Sequence, residues 1–357
     1  MILRSLFSGD LPRSRVLTVL LLLILAGLLL TPFLFSGAKS LNVAAKICIF
    51  IVLVSSFDLL LGYTGIVSFA HTMFFGIGAY GVAIALTHLG PTWGAVAAGV
   101  ALALVLSMVL SLVIGLFSLR VKAMFYAMIT LAVATAFLTL ASQLSDLTGG
   151  EDGLSFKVPT LLQPSFSLRE APFLGAYLDG KFISYYLLVA VTLVLFLVML
   201  RIVNSPFGRV LQAIRENEFR AEALGYRTVV YRTVSNVLSA LFATLAGCLL
   251  ALWLRYNGPD TSLSFEIMID ILLMVVIGGM GTMYGSVVGA TLFLIAQNYL
   301  QDLMKLGSTA ASGVPFLRNL LAPDRWMLWL GILFILSVYK FPTGIVGRLR
   351  ARVRSAP

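Results

Sequence analysis

Three glycines, Gly76, Gly78 and Gly81, stand in FFGIGAYG at the spacing G-x-G-x-x-G. In a dinucleotide-binding turn that spacing lets backbone wrap a pyrophosphate at a helix N-terminus, after a strand, and a carboxylate about 20 residues on holds the ribose. Here the flanks are SFAHTMFF and VAIALTHL, and no acidic residue follows before Asp146. A second stretch, GAYLDGKF from Gly175 to Phe182, has the order G-x-x-x-x-G-K of a phosphate-binding loop, but Phe182 stands where a Ser or Thr hydroxyl must ligate magnesium. Neither stretch supports nucleotide chemistry. His71 and His88 have no Cys or carboxylate cluster near them in sequence, and Cys48 and Cys248 lie in apolar runs, so neither a metal nor a cofactor is expected. No motif joins a nucleophile, a base and an oxyanion donor, which leaves a membrane enzyme as the weakest class.

The glycines make sense once the elements around them are identified. The chain of 357 residues is 60% hydrophobic and 11% charged, where globular chains are about a quarter charged, and its mean hydropathy is +1.01. This composition describes an all-α, polytopic transmembrane helical bundle. Small residues in such helices let backbones approach closely, and unwound Gly-rich backbone is tolerated at membrane depth where protein or a cavity surrounds it. The formal charge of +10 would suggest a nucleic-acid partner in a soluble protein, but the basic residues crowd the ends of apolar runs and so report topology, with no nucleic acid implied.

A crossing helix needs about 20 mostly apolar residues. Such runs occur near residues 16–35, 43–61, 69–88, 93–118, 123–141, 182–202, 229–254, 264–281, 285–304 and 326–341, about ten spans in all, the third and eighth interrupted by glycines. They fall within one transmembrane domain, 1–357. The first run has Arg13 and Arg15 before it and FSGA after it, as a secretory signal does, yet its apolar core is longer than the usual 7 to 15 or so residues. Lys and Arg in the short loops place both termini, residues 120–122 and the loop 203–228 in the cytoplasm. The acidic loop 142–181 and the loop 306–324 then face outward, either as a partner surface or as solvated connections.

The soluble stretch RIVNSPFGRVLQAIRENEFRAEALGYRT, Arg201 to Thr228, is the most informative. Ser205 and Pro206 read as N-cap and first helical residue, and Gly225 as the left-handed cap at the other end. Val210, Ile214, Ala221 and Leu224 recur at helical spacing with Leu211 beside them, while Arg215, Glu216, Arg220 and Glu222 take other faces. That predicts one short amphipathic helix, with Glu216 and Arg220 as a favourable i,i+4 pair. Periodicity alone does not separate a docking helix from a surface helix joining two spans.

Three stretches carry a family resemblance. NSPFGRVLQAIRENEFRAEALGY resembles the cytoplasmic loop of the branched-chain amino acid type of ABC importer permease. GYTGIVSFAHTMFFGIGAYG resembles that family's early Gly-rich signature, and VIGGMGTMYGSVVGA, Val276 to Ala290, its late one. The LivM-like subunits are the nearest branch. The resemblance implies a transport subunit of the bacterial inner membrane with no ATPase site of its own. It would work with a second permease subunit, two cytoplasmic ATP-binding subunits and a periplasmic solute-binding protein, among membrane lipid. Carried over by motif, the residues coupling it to the ATPase are Ser205, Pro206, Phe207, Gly208, Arg209, Ala213, Arg215, Glu216, Glu218, Ala221 and Gly225. Those expected along the pathway are Ser68, His71, Gly76, Gly78, Gly278, Gly279 and Gly281. Similar permeases serve urea and other amides, so that substrate class stands as the alternative.

Ionisable groups at membrane depth need a reason, because each costs a few kcal/mol there. Asp58 is expected either to pair with Arg120 or Lys122 or to serve the pathway, and His71 either to be bonded within the bundle or to line a cavity. Glu266 and Asp270 share a helix face and repel unless wet or paired. A stand-alone proton-coupled secondary transporter would use such carboxylates as relays and would also show interrupted helices, but it does not require the capped helix after Ser205.

Overall fold

The computed structural model describes residues 14–34, 37–118, 123–166, 179–310, 322–341 and 343–354. Apolar residues without nearby water leave the backbone only its own groups to bond, so the chain runs in helices. In chain order these are α1 (Arg15–Leu34), α2 (Ala38–Thr64), α3 (His71–Leu89), α4 (Trp93–Ser118), α5 (Ala123–Gln143) and α6 (Gly180–Asn204). The helices α7 (Pro206–Glu216) and α8 (Glu218–Ala223) form the polar loop. After them come α9 (Thr228–Leu254), α10 (Phe265–Gly278), α11 (Met283–Ala310), α12 (Trp326–Lys340) and α13 (Gly344–Arg354). Eight described segments are long and apolar enough to cross a membrane, the eighth being Pro259–Gly278, which includes α10. The ninth expected run lies in α11, which is long but carries Gln297, Asn298, Gln301 and Asp302; the tenth is α12, apolar but only 15 residues long. The protein is a multi-pass membrane protein.

The helix α2 is the buried axis, with Ile49, Leu53, Phe57 and Leu59 fully enclosed. Around it stand α3, α6, α9, α10 and α11, whose buried residues join it in one core. By contrast α4 and α5 leave Leu102, Val105, Met124 and Phe125 open to the surroundings, as helices facing lipid or another subunit do. The tightest contact joins α3 to α9. A Cβ on Gly78 would run into the Thr244 carbonyl oxygen, and one on Gly247 into that of Phe75, so each helix lays backbone against the other's glycine. GIGAYG is therefore packing surface within an unbroken helix. The expectation that the third span is interrupted at that motif is corrected: the break lies upstream, where Gly65 turns left-handed at φ +73° and residues 65–70 run without helix. The second interruption falls where the sequence puts it, with Gly279 at φ +118° and Gly281 at φ +77° between α10 and α11.

Part of the loop 142–181 is folded down rather than merely solvated. Strand β1 (Leu154–Ser155) pairs antiparallel with β2 (Tyr256–Asn257), and Phe156, Val158 and Leu162 are buried against α3 and α9. Gly180 of GAYLDGKF opens α6 where a side chain would meet the Gln163 carbonyl. Residues 167–178, Arg120 and Lys122 lie outside the described residues, as does Arg13.

The first helix is fastened at its proline. Pro32 has no N–H to give to the Leu28 carbonyl, and the Tyr185 hydroxyl takes that place at 2.5 Å, while Tyr186 donates to Leu29 at 2.7 Å. Tyr185→Phe should therefore cost about 1 kcal/mol, the net worth of one hydrogen bond. Tyr186→Phe, at an exposed bond, should cost less. Thermal midpoints of the detergent-solubilised variants check the order.

Candidate functional site

The polar loop is built by its caps. Ser205 Oγ accepts the Gly208 amide at 3.5 Å and Pro206 begins α7, as the sequence indicates. The predicted single helix is in fact two. Asn217 is extended, at φ −158° and ψ 100°, and its Oδ1 accepts the Arg220 amide at 2.9 Å, so it ends α7 and caps α8. Gly225, at φ +91°, donates to Glu222 O at 2.8 Å while Tyr226 donates to Ala221 O at 3.2 Å, closing α8 in a Schellman turn. The break removes the expected Glu216–Arg220 pair from a common helix. Glu218 instead forms a two-pronged bridge to Arg232 of α9, at 2.5 and 3.0 Å.

Burial divides the residues carried over by resemblance. Leu211, Ile214, Gly208 and Ala221 are buried on the bundle side, and Phe207 stacks on Tyr231 with ring centres 5.8 Å apart. A Cβ on Gly208 would strike the Val203 carbonyl, so this glycine shapes the loop. Pro206, Arg209, Ala213, Glu216 and Gly225 are exposed. Leu224, expected on the buried stripe, is 72% exposed, and Phe219, which periodicity did not single out, is 87% exposed. The signal was present: once Asn217 ends the first helix, residues 219 and 224 no longer continue its apolar face.

Arg215 behaves differently from its neighbours. It donates from Nη1 to the Gly62 carbonyl at the end of α2, beside an open pocket lined by Gly62, Tyr63, Gln212, Glu216 and Gly281. Asp58, one turn earlier on α2, is fully buried and accepts the Gly281 amide at 2.8 Å. Its observed partner is thus a backbone group at the second helix interruption.

The expected pathway residues sit in packed interior, except Gly281, which is partly buried and borders the open pocket beside Arg215. His71 is buried, its Nε2 2.9 Å from Ser56 Oγ and 3.3 Å from Leu53 O, with its ring against Phe57. Ser68 is buried and accepts the Ala70 amide at 3.4 Å. Gly76 abuts Leu263 and Gly78 abuts Thr244, whereas Gly278 meets Gly285, Gly279 meets Thr343 and Gly281 meets Gly62 and Arg215. The two glycine groups are therefore held by different neighbours. Asp270 accepts a hydrogen bond from Gln297 Nε2 at 3.1 Å, so it is partnered beside Glu266. Among the described residues no three His, Cys, Asp or Glu side chains gather as metal ligands.

Comparison with known proteins fits this architecture. The family described as branched-chain amino acid transport system / permease component matches residues 40–338. The high-affinity branched-chain amino acid transport system permease protein LivM of Salmonella typhimurium is 27% identical over 82% of this chain and 71% of its own length. The Escherichia coli protein of that name is 26% identical over the same shares. A probable branched-chain amino acid transport permease protein LivM of Methanocaldococcus jannaschii is 26% identical over 64% of this chain and 61% of its own. No solved structure matches the chain. The family match spans both helix interruptions and the capped loop between them, and the chain belongs to the branched-chain amino acid transport permease family.

Proposed function

We propose that this chain is the transmembrane subunit of an ATP-binding-cassette importer for branched-chain amino acids, a single permease domain over residues 1–357. It would pair with a second permease subunit in the inner membrane. Two cytoplasmic ATP-binding subunits would dock on the α7–α8 loop, and a periplasmic binding protein would deliver solute to the opposite end. The termini and the loop would then be cytoplasmic, in keeping with the basic residues at that end. The observation that carries this reading is the exposure of Phe219 and Leu224 on a loop that is otherwise capped, bridged by Glu218 and Arg232, and packed down through Leu211 and Ile214. A loop that only joined two helices has no use for a rigidly presented phenylalanine; a subunit groove does. Such a partner could shift the balance between inward-open and outward-open states only by binding them unequally.

Two measurements test the proposal. Reconstitution with the ATP-binding subunits and binding protein should give uptake of leucine, isoleucine and valine that requires ATP; urea-driven stimulation in their place would reassign the substrate, and uptake by this chain alone without nucleotide would overturn the importer reading. For orientation, Phe219→Cys offers an accessible thiol, because Cys48 and Cys248 are both buried. A membrane-impermeant maleimide should label it in inside-out vesicles and leave it unlabelled in intact cells. Labelling from outside would reverse the topology.

A further inference from the structure

Arg215 belongs to α7, yet its side chain turns back onto the bundle and rests on both places where membrane helices are interrupted. Its stem lies over Gly65, where a Cβ would stand 3.2 Å from Arg215 Cγ. Its Nη1 donates to Gly62 O, and the same nitrogen would stand 2.8 Å from a Cβ on Gly281. Asp58 ties the two interruptions together from inside. Its Oδ1 holds the Gly281 amide at 2.8 Å, and its buried Oδ2 has no hydrogen-bond partner among the described residues. The positive guanidinium attracts this carboxylate across Gly62. The site allows no bulk: a Cβ on Gly62 would collide with both Asp58 Oδ1 and the Gly281 amide.

The positions so joined are the ones able to move. Gly65 and Gly281 both have positive φ, and neither is inside a helix, so they can absorb backbone rotation that helical residues cannot. A displacement of α7 must therefore drag on two hinges through one side chain or break its bond to Gly62.

We propose that Arg215 and Asp58 form the junction by which movement of α7 is passed to both interrupted segments, Arg215 being a positioning residue for transport rather than a contact to the ATP-binding subunit. This rests on the docking role proposed for the loop. It also reassigns Arg215, which the family resemblance would place among the docking residues, and gives Asp58 a partner inside the bundle.

The test uses the complete importer in proteoliposomes, comparing the parent chain with Arg215→Ala, Arg215→Lys, Asp58→Asn and the Arg215→Ala/Asp58→Asn double variant. Three quantities are read: ATP-binding subunit co-purified per permease, basal ATP hydrolysis, and solute moved per ATP. Expected are unchanged co-purification and basal hydrolysis, with solute per ATP falling about 2- to 30-fold in Arg215→Ala and in Asp58→Asn, the range for substitutions within a coupling network. Arg215→Lys, which keeps a donor for Gly62 O, should stay nearer the parent than Ala. The double variant should be no worse than the worse single, since both act through one junction. Reduced co-purification in Arg215→Ala would make Arg215 a docking contact and overturn the proposal. Unchanged solute per ATP, or single effects that multiply, would do the same. Should Asp58→Asn fail to insert, the Ala and Lys variants at the exposed residue 215 decide alone. A parent chain that binds no ATP-binding subunit overturns the proposed function and the junction with it.

Discussion

Gly78→Leu should prevent α3 and α9 from meeting and cost at least about 3 kcal/mol, the upper end of what overpacking a well-filled interior costs. The obstacle is backbone, which cannot change rotamer: the first added carbon already overlaps the Thr244 carbonyl, and Gly247 faces Phe75 in the same way. Cys248 Sγ lies 3.3 Å from Gly78 O, so the two helices have no slack to slide along each other. Membrane yield and the thermal midpoint in detergent should both fall. Gly27→Leu, at a helical glycine with nothing within 4 Å of its added Cβ, is the control and should leave both unchanged. A Gly78→Leu protein with parental yield and midpoint would remove close backbone approach as the reason for these glycines.

In the proposed importer, Phe219→Asp should weaken docking of the ATP-binding subunit by at least about 2 kcal/mol, roughly 30-fold, as loss of an aromatic anchor does at an interface centre. Because the ring is 87% exposed in the isolated chain, its removal takes nothing from the fold. Insertion and thermal midpoint should therefore match the parent while ATP-driven uptake falls. Glu218 makes the contrast: it is committed to Arg232, so its replacement acts first on the loop's attachment to α9 and only then on any partner. Equal docking by Phe219→Asp and the parent would place the ATP-binding subunit elsewhere on the chain.

What could be read from residues alone follows from how local each signal is. The helical, membrane-spanning class was legible because backbone in hydrocarbon has few ways to satisfy itself. The caps at Ser205 and Gly225 were legible because they depend on residue type at fixed offsets. The split at Asn217 was not, since a 3.6-residue period counted across it reads as one helix, and the Glu218–Arg232 bridge appears only after the loop folds back on α9. The glycines of FFGIGAYG serve close packing, but their partners, Thr244 and Leu263, lie far along the chain and leave no local trace. Asp58 posed the same difficulty: its partner is a backbone amide 223 residues away, and backbone amides look alike in any sequence.

The helix α9 runs about 40 Å at 1.5 Å per residue and is tethered at both extremities. At its start Arg232 grips Glu218, and just past its end Tyr256 and Asn257 are stitched to Leu154 and Ser155. A rod held in this manner behaves as a lever: tilting it from the polar loop must swing the small ribbon on the far side of the bilayer. In the importer proposed above, solute delivery and fuel consumption would then share one stiff shaft.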